Sequence, residues 1–137
     1  MIRPSESIRR RVRERLAEQR ELVQSLLRLR EQLQGSLFVR YGECGKAGCA
    51  CQRGLRHGPY YVLSTRSGGK GSFAYLDADR MAEARGLVNR YREFQRGFRR
   101  LKTVNQGLLV LLRRYQGAMT REGGRRIEVK DGKSAAT

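Results

Sequence analysis

The chain has 137 residues, 39% of them hydrophobic, with 30 Lys and Arg against 13 Asp and Glu, which gives a formal net charge of +17. This length suits one small domain with extensions and permits only a modest core. No apolar run approaches the roughly 18 residues of a membrane span, and no secretion signal follows Met1. The charge excess predicts a polyanionic partner, nucleic acid before acidic membranes or acidic proteins.

Residues 1–34 are predicted to form a basic N-terminal helix. Leucines recur there at alternating spacings of four and three, which places them on one helical face. These leucines are Leu22, Leu26, Leu29 and Leu33. We expect Gly35 to end the helix, because glycine commonly follows the last helical residue.

Residues 35–76 change to strand-like composition. Runs at 36–41, 59–65 and 72–76 are rich in β-branched and aromatic residues, and residues 67–71 form a glycine-rich turn. Together they predict a small three-stranded antiparallel meander. A cysteine-containing loop connects its first two strands.

A long C-terminal helix is predicted over residues 77–116, with Asp77 as its N-cap. Spacings of three and four define a coiled-coil-like seam. The seam comprises Ala84, Leu87, Tyr91, Phe94, Phe98, Leu101, Asn105, Leu108, Leu112 and Tyr115. We expect this helix to pack on the first one, and Asn105 either to fix the register of the seam or to face water or a backbone group. Further apolar residues at Val104 and 109–111 predict a homodimer contact through the long helices.

The predicted fold is therefore α+β. It is a long antiparallel helical hairpin, with the small three-stranded sheet and its loop inserted between the helices. Residues 117–137 are rich in Gly, Lys, Arg and Ser, and we expect them to form a basic disordered tail.

The loop holds all three cysteines of the chain and its only histidine: Cys44, Cys49, Cys51 and His57. Zinc favours a tetrahedron of thiolate and imidazole donors, and these four side chains complete such a set. Several glycines nearby supply the permissive backbone that a loop around an ion needs. We therefore predict that Zn²⁺ staples a sheet too small to hold the loop alone.

Other interpretations of the loop remain open. The cysteines could be incidental, or could form one disulfide and a spare thiol, but a reducing, cytoplasmic compartment, which we expect, disfavours the disulfide. An iron–sulfur cluster is chemically allowed. His57 is the least certain ligand, because it could contact phosphate while water or another residue supplies the fourth donor.

The loop has no features of a catalytic metal site. Catalytic zinc needs an exchangeable position and a nearby carboxylate base. No Asp or Glu occurs between Cys44 and Leu76, and the single His excludes a two-histidine nuclease. We therefore predict a protein that is not an enzyme, although a tyrosine nucleophile such as Tyr60 or Tyr61 stays open.

Basic residues in this acid-free window are the predicted contacts to a phosphate backbone. Arg53, Arg56 and, more weakly, Lys46 lie in the loop, and Arg66 and Lys70 flank the glycine turn. A basic hairpin beside a basic loop would contact phosphates at two points.

The run C-G-K-A-G-C-A-C at residues 44–51, followed by H-G-P-Y-Y at residues 57–61, resembles a family of small bacterial and archaeal proteins. The likeness covers roughly residues 35–110. Its members are often met near mobile genetic elements and carry no assigned activity, so the resemblance implies a metal-bound fold more firmly than a function. The Gly69-Lys70 hairpin is also similar to the three-stranded arm-binding domains of tyrosine integrases, which place a sheet in the major groove of DNA.

The sequence thus predicts a zinc-stapled protein that binds nucleic acid, duplex DNA before RNA. The family resemblance alone implies an accessory role at a mobile element. The alternative is an interaction protein whose coiled coil holds a partner such as a transposase, with Phe98 and Leu108 in the contact and the zinc module purely structural. A third interpretation is a nuclease or recombinase.

Overall fold

A computed structural model describes residues 2–43, 45–54, 56–67 and 69–130, without the side chains of residues 51, 52 and 67. The elements follow in the order α1 (Pro4–Arg28), β1 (Gly35–Gly42), a short 3₁₀ turn (Ala50–Arg53), β2 (His57–Ser67), β3 (Lys70–Leu76) and α2 (Ala78–Arg126). The two helices and the small three-stranded antiparallel sheet confirm the predicted α+β class. None of the helices in these ranges is long and apolar enough to cross a membrane.

The N-terminal helix ends earlier than its leucine pattern predicts. α1 stops at Arg28, and Gly35 begins β1 instead of ending a helix. The intervening backbone finds partners other than its own helix: the Leu33 amide donates to the Leu87 carbonyl at 3.1 Å, and the Gln32 side-chain amide donates to the Leu29 carbonyl at 3.0 Å. These bonds replace the helical ones that residues 29–34 would otherwise make.

The chain divides into two compact units, the first formed by residues 1–26 and 97–137. In this unit, α1 and α2 run antiparallel. Near one end, the Ser5 hydroxyl donates to Glu122 at 2.8 Å. Further along, Gln19 donates to Asn105 at 2.7 Å. Contacts therefore join early residues of α1 to late residues of α2, as a helical hairpin requires.

The buried side of α2 agrees with the predicted seam at some positions and is shifted by one residue at others. Ala84 and Leu108 are buried as predicted, but Phe98, Asn105 and Leu112 are exposed. Their places are taken one residue earlier in the sequence, by Gly97 (partly buried), Val104 and Leu111. A Cβ on Gly97 would lie 2.7 Å from Leu26 Cδ2, so the absent side chain lets the helices approach closely at this level.

α2 also continues beyond residue 116, through Arg126, although the composition of this segment predicts a disordered tail. Ala118 is buried in this extra part. Glu122 is only partly exposed and accepts the hydrogen bond from Ser5. Contacts to α1 thus outweigh the poor helix propensity of the glycines. Residues 131–137, the end of the predicted tail, lie outside the described residues.

The second unit, residues 27–96, contains the sheet. Its strand order is β1-β2-β3, with β2 paired antiparallel to both neighbours. The pairing places Leu37, Leu63 and Ala74 in one row and Phe38, Val62 and Tyr75 in the next. Opposed residues share a face and successive rows alternate, so these two rows belong to opposite faces of the sheet.

One face of the sheet forms the core of this unit. Leu63 is buried together with Ala84 and Val88 of α2, and Leu33, Leu37 and Leu76 pack around them. Asp77 accepts a hydrogen bond from the Arg80 amide at 2.8 Å, which confirms the predicted N-cap of α2. The core therefore holds the start of α2 against one face of the sheet.

Val104 should contribute strongly to the stability of the hairpin. Its side chain is 2% exposed, whereas Val110 on the same helix is 53% exposed. We expect Val104→Ala to lower the free energy of unfolding by about 2 kcal/mol, because it removes two buried carbon groups and leaves a cavity. Val110→Ala is the matched control and should change it by less than about 0.5 kcal/mol. Urea unfolding followed by circular dichroism measures both, and equal losses would contradict this burial pattern.

Glu18 should give the hairpin a pH-dependent contribution to stability. Hydrogen bonds from the Arg100 guanidinium lower the pKa of its carboxyl, and Arg15 adds to the effect. A lowered folded-state pKa means that the stabilisation is present above the unfolded pKa and is lost as the pH falls through the folded one. We expect Glu18→Gln to lower the melting temperature slightly at pH 7.

That difference from the wild type should disappear in acid, below the folded pKa of Glu18. Glu14→Gln is the matched control, because it removes the same charge from an exposed position of α1. A Glu18→Gln deficit that persists at the lowest pH at which the fold survives would show that the carboxylate charge is not its cause.

Candidate metal centre and nucleic-acid interface

The connection between β1 and β2 carries the predicted metal ligands. A turn closes where the Cys49 amide donates to the Lys46 carbonyl at 3.4 Å, and the 3₁₀ turn Ala50–Arg53 follows it. Gly48 and Gly54 have φ values of +81° and +97°, which residues with a side chain rarely adopt. The loop thus folds back at Gly48 and again at Gly54, before β2 begins at His57.

Two of the four predicted ligands are in contact. Cys49 Sγ lies 3.0 Å from His57 Nε2, and both residues are partly buried. For comparison, a thiolate and an imidazole bound to one tetrahedral zinc ion lie about 3.5 Å apart, given their usual bond lengths. A few tenths of an ångström of side-chain movement would therefore place both donors on one ion.

The other two predicted ligands fall outside what can be described: Cys44 as a whole residue, and Cys51 in its side chain. Among the described residues, no group of three or more His, Cys, Asp or Glu side chains is placed to hold a metal ion. The described pair nevertheless fits zinc by its chemistry, because it joins one sulfur and one nitrogen donor.

Gly58 fixes the start of β2 against the end of β1. A Cβ at this position would lie 2.6 Å from Tyr41 Cδ1 and 2.9 Å from the Arg40 carbonyl oxygen, and the residue has a φ of +143°. His57, the residue before Gly58, pairs with Gly42 of β1. The register of the two strands shifts between Arg40 and Gly42. The backbone at His57 is consequently held closely by β1.

The predicted phosphate contacts are all exposed, but they lie in two groups. Lys46, Arg53 and Arg56 belong to the loop before β2, whereas Arg66 and Lys70 lie where β2 ends and β3 begins. His57 and Arg66 are nine steps apart on one strand, a distance of about 30 Å at the usual rise of a β-strand. The loop and the glycine turn therefore lie at opposite ends of β2, and the predicted phosphate contacts form two separate groups.

Sequence reasoning missed Arg40 and the exposed aromatic residues of the sheet. Arg40 Nη1 donates to the Tyr75 hydroxyl at 3.1 Å, and the Tyr75 ring meets the Tyr60 ring edge-on at a centroid separation of 6.3 Å. All three side chains lie on the face opposite the core. The period-two alternation of the strands could have found them, since Phe38, Arg40, Tyr60, Phe73 and Tyr75 all fall in the rows that exclude Leu37 and Leu63.

Comparison with known proteins identifies the family of this chain. The domain of unknown function DUF6788 matches residues 6–86, more than half of the chain, and the protein belongs to that family. No curated protein and no solved structure matches it. The match spans α1, the whole sheet and the start of α2, so the cysteine loop lies within the family domain.

Proposed function

We propose that this protein is a zinc-stapled, non-enzymatic nucleic-acid-binding protein, with duplex DNA as its first ligand and RNA as the next. The observation that carries the proposal is the contact between Cys49 and His57 in a loop bordered by exposed cations. The net charge of +17 supplies the attraction for a polyanion.

Zinc would be held by Cys44, Cys49, Cys51 and His57, with the role of a closed structural ion. Such an ion stabilises small modules that lack a core of their own. The loop needs this help, because among its described residues only Cys49 is partly buried and the others are exposed. The ion would fix the positions of Arg53 and Arg56 relative to the sheet.

Phosphate contacts would come from both ends of the sheet. The two groups of cations are separated by about 30 Å, which corresponds to about nine phosphate steps of 3.4 Å along one strand of a duplex. Arg53 and Arg56 would contact one part of the backbone, with Lys46 nearby, and Arg66 and Lys70 a distant part. Two separated contacts would orient the sheet on the duplex.

One carboxylate adjoins the predicted ligands in the sequence: Glu43 directly follows the first strand, and the described loop residues after it include no acid. The next acidic residue, Asp77, caps α2. An ion closed by four protein donors would leave no exchangeable position for a water that Glu43 could activate, which favours a binding protein over a nuclease or recombinase. The resemblance to proteins met near mobile elements extends the proposal to an accessory role there.

A second candidate is an interaction protein that uses the helical hairpin. Leu109 is 67% exposed, and together with Ile8, Val110 and Gly117 it lines a concave region of about 830 Å³ in the first unit. This surface favours an apolar protein partner or a second copy of the chain. Leu108 is buried within the hairpin, so the contact would involve Leu109 and not the residue that the seam suggests.

Metal content tests the staple directly. We expect the purified protein to bind about one zinc ion per chain, and Cys49→Ser to weaken the metal affinity by more than the roughly 10- to 100-fold that loss of an outer-shell partner costs. A chelator should lower the melting temperature of the wild type and leave that of Cys49→Ser nearly unchanged. Elemental analysis and thermal unfolding measure these effects.

Ala50→Ser is the matched control for the metal experiment, because it adds a hydroxyl one residue away and removes no donor. It should retain the wild-type zinc content. Iron with visible absorption would replace the zinc assignment with an iron–sulfur cluster, and a chain that holds no metal with Cys49 intact would refute the staple.

Salt dependence tests the phosphate contacts. We expect the double variant Arg53→Gln/Lys70→Gln to reduce the slope of log affinity against log salt by about 2, because each lost phosphate contact removes about 0.9. Fluorescence anisotropy of a labelled DNA duplex across a salt series measures it. Wild-type binding should persist at about 0.15 M salt.

The control for this experiment is Arg92→Gln/Lys130→Gln, which removes the same charge from exposed positions elsewhere. It should change the slope much less. Equal effects of the two double variants would mean a generic charge attraction, and the interaction protein would then be the better description.

A further inference from the structure

We propose that the outer face of the sheet is a stacking platform for the unpaired bases of single-stranded nucleic acid. The platform consists of Phe38, Tyr60, Phe73 and Tyr75, with Arg40 and Arg66 beside them. This inference rests on the proposed binding of nucleic acid. It adds a second binding surface, and the ligand of that surface is single-stranded nucleic acid instead of a duplex.

The strand register brings the four rings to one face. Phe38 and Tyr75 flank Val62 in one row of the sheet. On the same face, Phe73 lies opposite Ser64, two residues after Val62 on β2, and Tyr60 lies two residues before Val62. All these positions alternate with those of the core residues, so their side chains project from the face opposite to the one that packs on the start of α2. Three strands therefore contribute aromatic rings to one continuous surface.

The four aromatic rings are much more exposed to solvent than side chains that serve only to pack the sheet would be. Phe73 is 71% exposed and Tyr75 is 63% exposed, whereas Val62 between Phe38 and Tyr75 is only 2% exposed. The larger side chains thus cover the aliphatic residue and present their own surfaces to solvent. Exposed neighbouring aromatic residues of this kind mark a binding surface on a protein whose core is already formed.

Contacts among the side chains order part of the platform before any ligand arrives. The Tyr60 and Tyr75 rings meet at an interplanar angle of 84°, and Arg40 donates to the Tyr75 hydroxyl at 3.1 Å. Rings that are already held lose little conformational freedom when a base stacks on them. The arrangement leaves ring surface accessible on both tyrosines, since the contact between them is edge-on.

The charge of the platform suits a phosphate backbone. Arg40 and Arg66 lie on the same face, in the rows of Tyr60 and Gly71, and none of the paired residues of this face is acidic. At one margin, Arg40, Glu43, Tyr60 and Tyr75 surround a cavity of about 380 Å³. Glu43 is the one carboxylate there, and it could accept a hydrogen bond from the amino group of a base, as carboxylates do from cytosine.

Unpaired bases fit this surface better than a duplex or a protein does. In a duplex both faces of each base are covered by its neighbours, so aromatic side chains can stack only on bases that are unpaired or displaced. A protein partner would require exposed aliphatic surface, and the only aliphatic side chain within the paired rows of this face besides the rings is the covered Val62. Rings together with guanidinium groups are the combination that single-strand binding proteins use.

The test is the affinity of the full chain for fluorescent single-stranded DNA and single-stranded RNA oligonucleotides of mixed sequence, measured by anisotropy. We expect Phe73→Ala and Tyr75→Ala each to weaken binding by about 5- to 150-fold, the range that corresponds to loss of one stacked base. Phe73→Trp should retain the wild-type affinity, because it keeps a stacking surface. The DNA and RNA arms show whether the 2′-hydroxyl contributes.

Phe98→Ala is the matched control, since it removes an exposed phenylalanine that lies on α2 and not on the sheet. It should leave single-strand affinity unchanged, and circular dichroism confirms that Phe73→Ala remains folded. The platform is refuted if Phe73→Ala and Tyr75→Ala bind single strands as tightly as the wild type does. The proposed duplex contacts stand or fall separately, because they depend on Arg53 and Lys70 in the salt series. Absence of binding to any nucleic acid would refute both proposals and favour a protein partner.

Discussion

The central strand β2 is the element on which both candidate surfaces depend. Its backbone is paired on both sides, and its side chains alternate between the α2-covered core and the exposed aromatic face. Val62 and Leu63 are adjacent in sequence and both buried, one on each face. A shift of one residue would move Leu63 out of the core and onto the aromatic face, so the burial of Leu63 restricts the register of this strand.

The same strand separates the groups of charge. His57 lies at its beginning and Arg66 near its end, so the cysteine loop and the glycine turn cannot form a single basic patch. What lies between them is the aromatic face. If the protein binds nucleic acid as we propose, a flexible single strand would follow the sheet through both charged ends and the rings between them, whereas a stiff duplex would contact only the charged ends.

Strand-like composition and the glycine-rich turn before β3 were sufficient to predict the three strands and their order, although β2 is longer at both ends than its predicted run. The helices were harder. Leu29 and Leu33 continue a helical pattern, yet α1 ends at Arg28 and the Leu33 amide donates to the Leu87 carbonyl of α2, a tertiary contact that no local pattern contains. In α2, the large apolar side chains of Phe98 and Leu112 led to their being placed in the predicted seam. The smaller Gly97 and Val104 lie against α1 instead, because the two helices pack closely there.

One part of the candidate site could be predicted from the sequence, and the other part could not. The cysteine and histidine cluster is evident from the sequence, since all three cysteines and the only histidine lie in one stretch of 14 residues, and the contact of Cys49 with His57 accords with it. The aromatic face is invisible to composition, because its residues come from three strands and become neighbours only in the correct register. Gly58 links the two features, as its closeness to Tyr41 and Arg40 holds the start of β2 against β1. A metal ion bound at His57 would therefore also restrain the end of the sheet that carries Tyr60 and Arg40, and ordering of the loop would reinforce ordering of the platform.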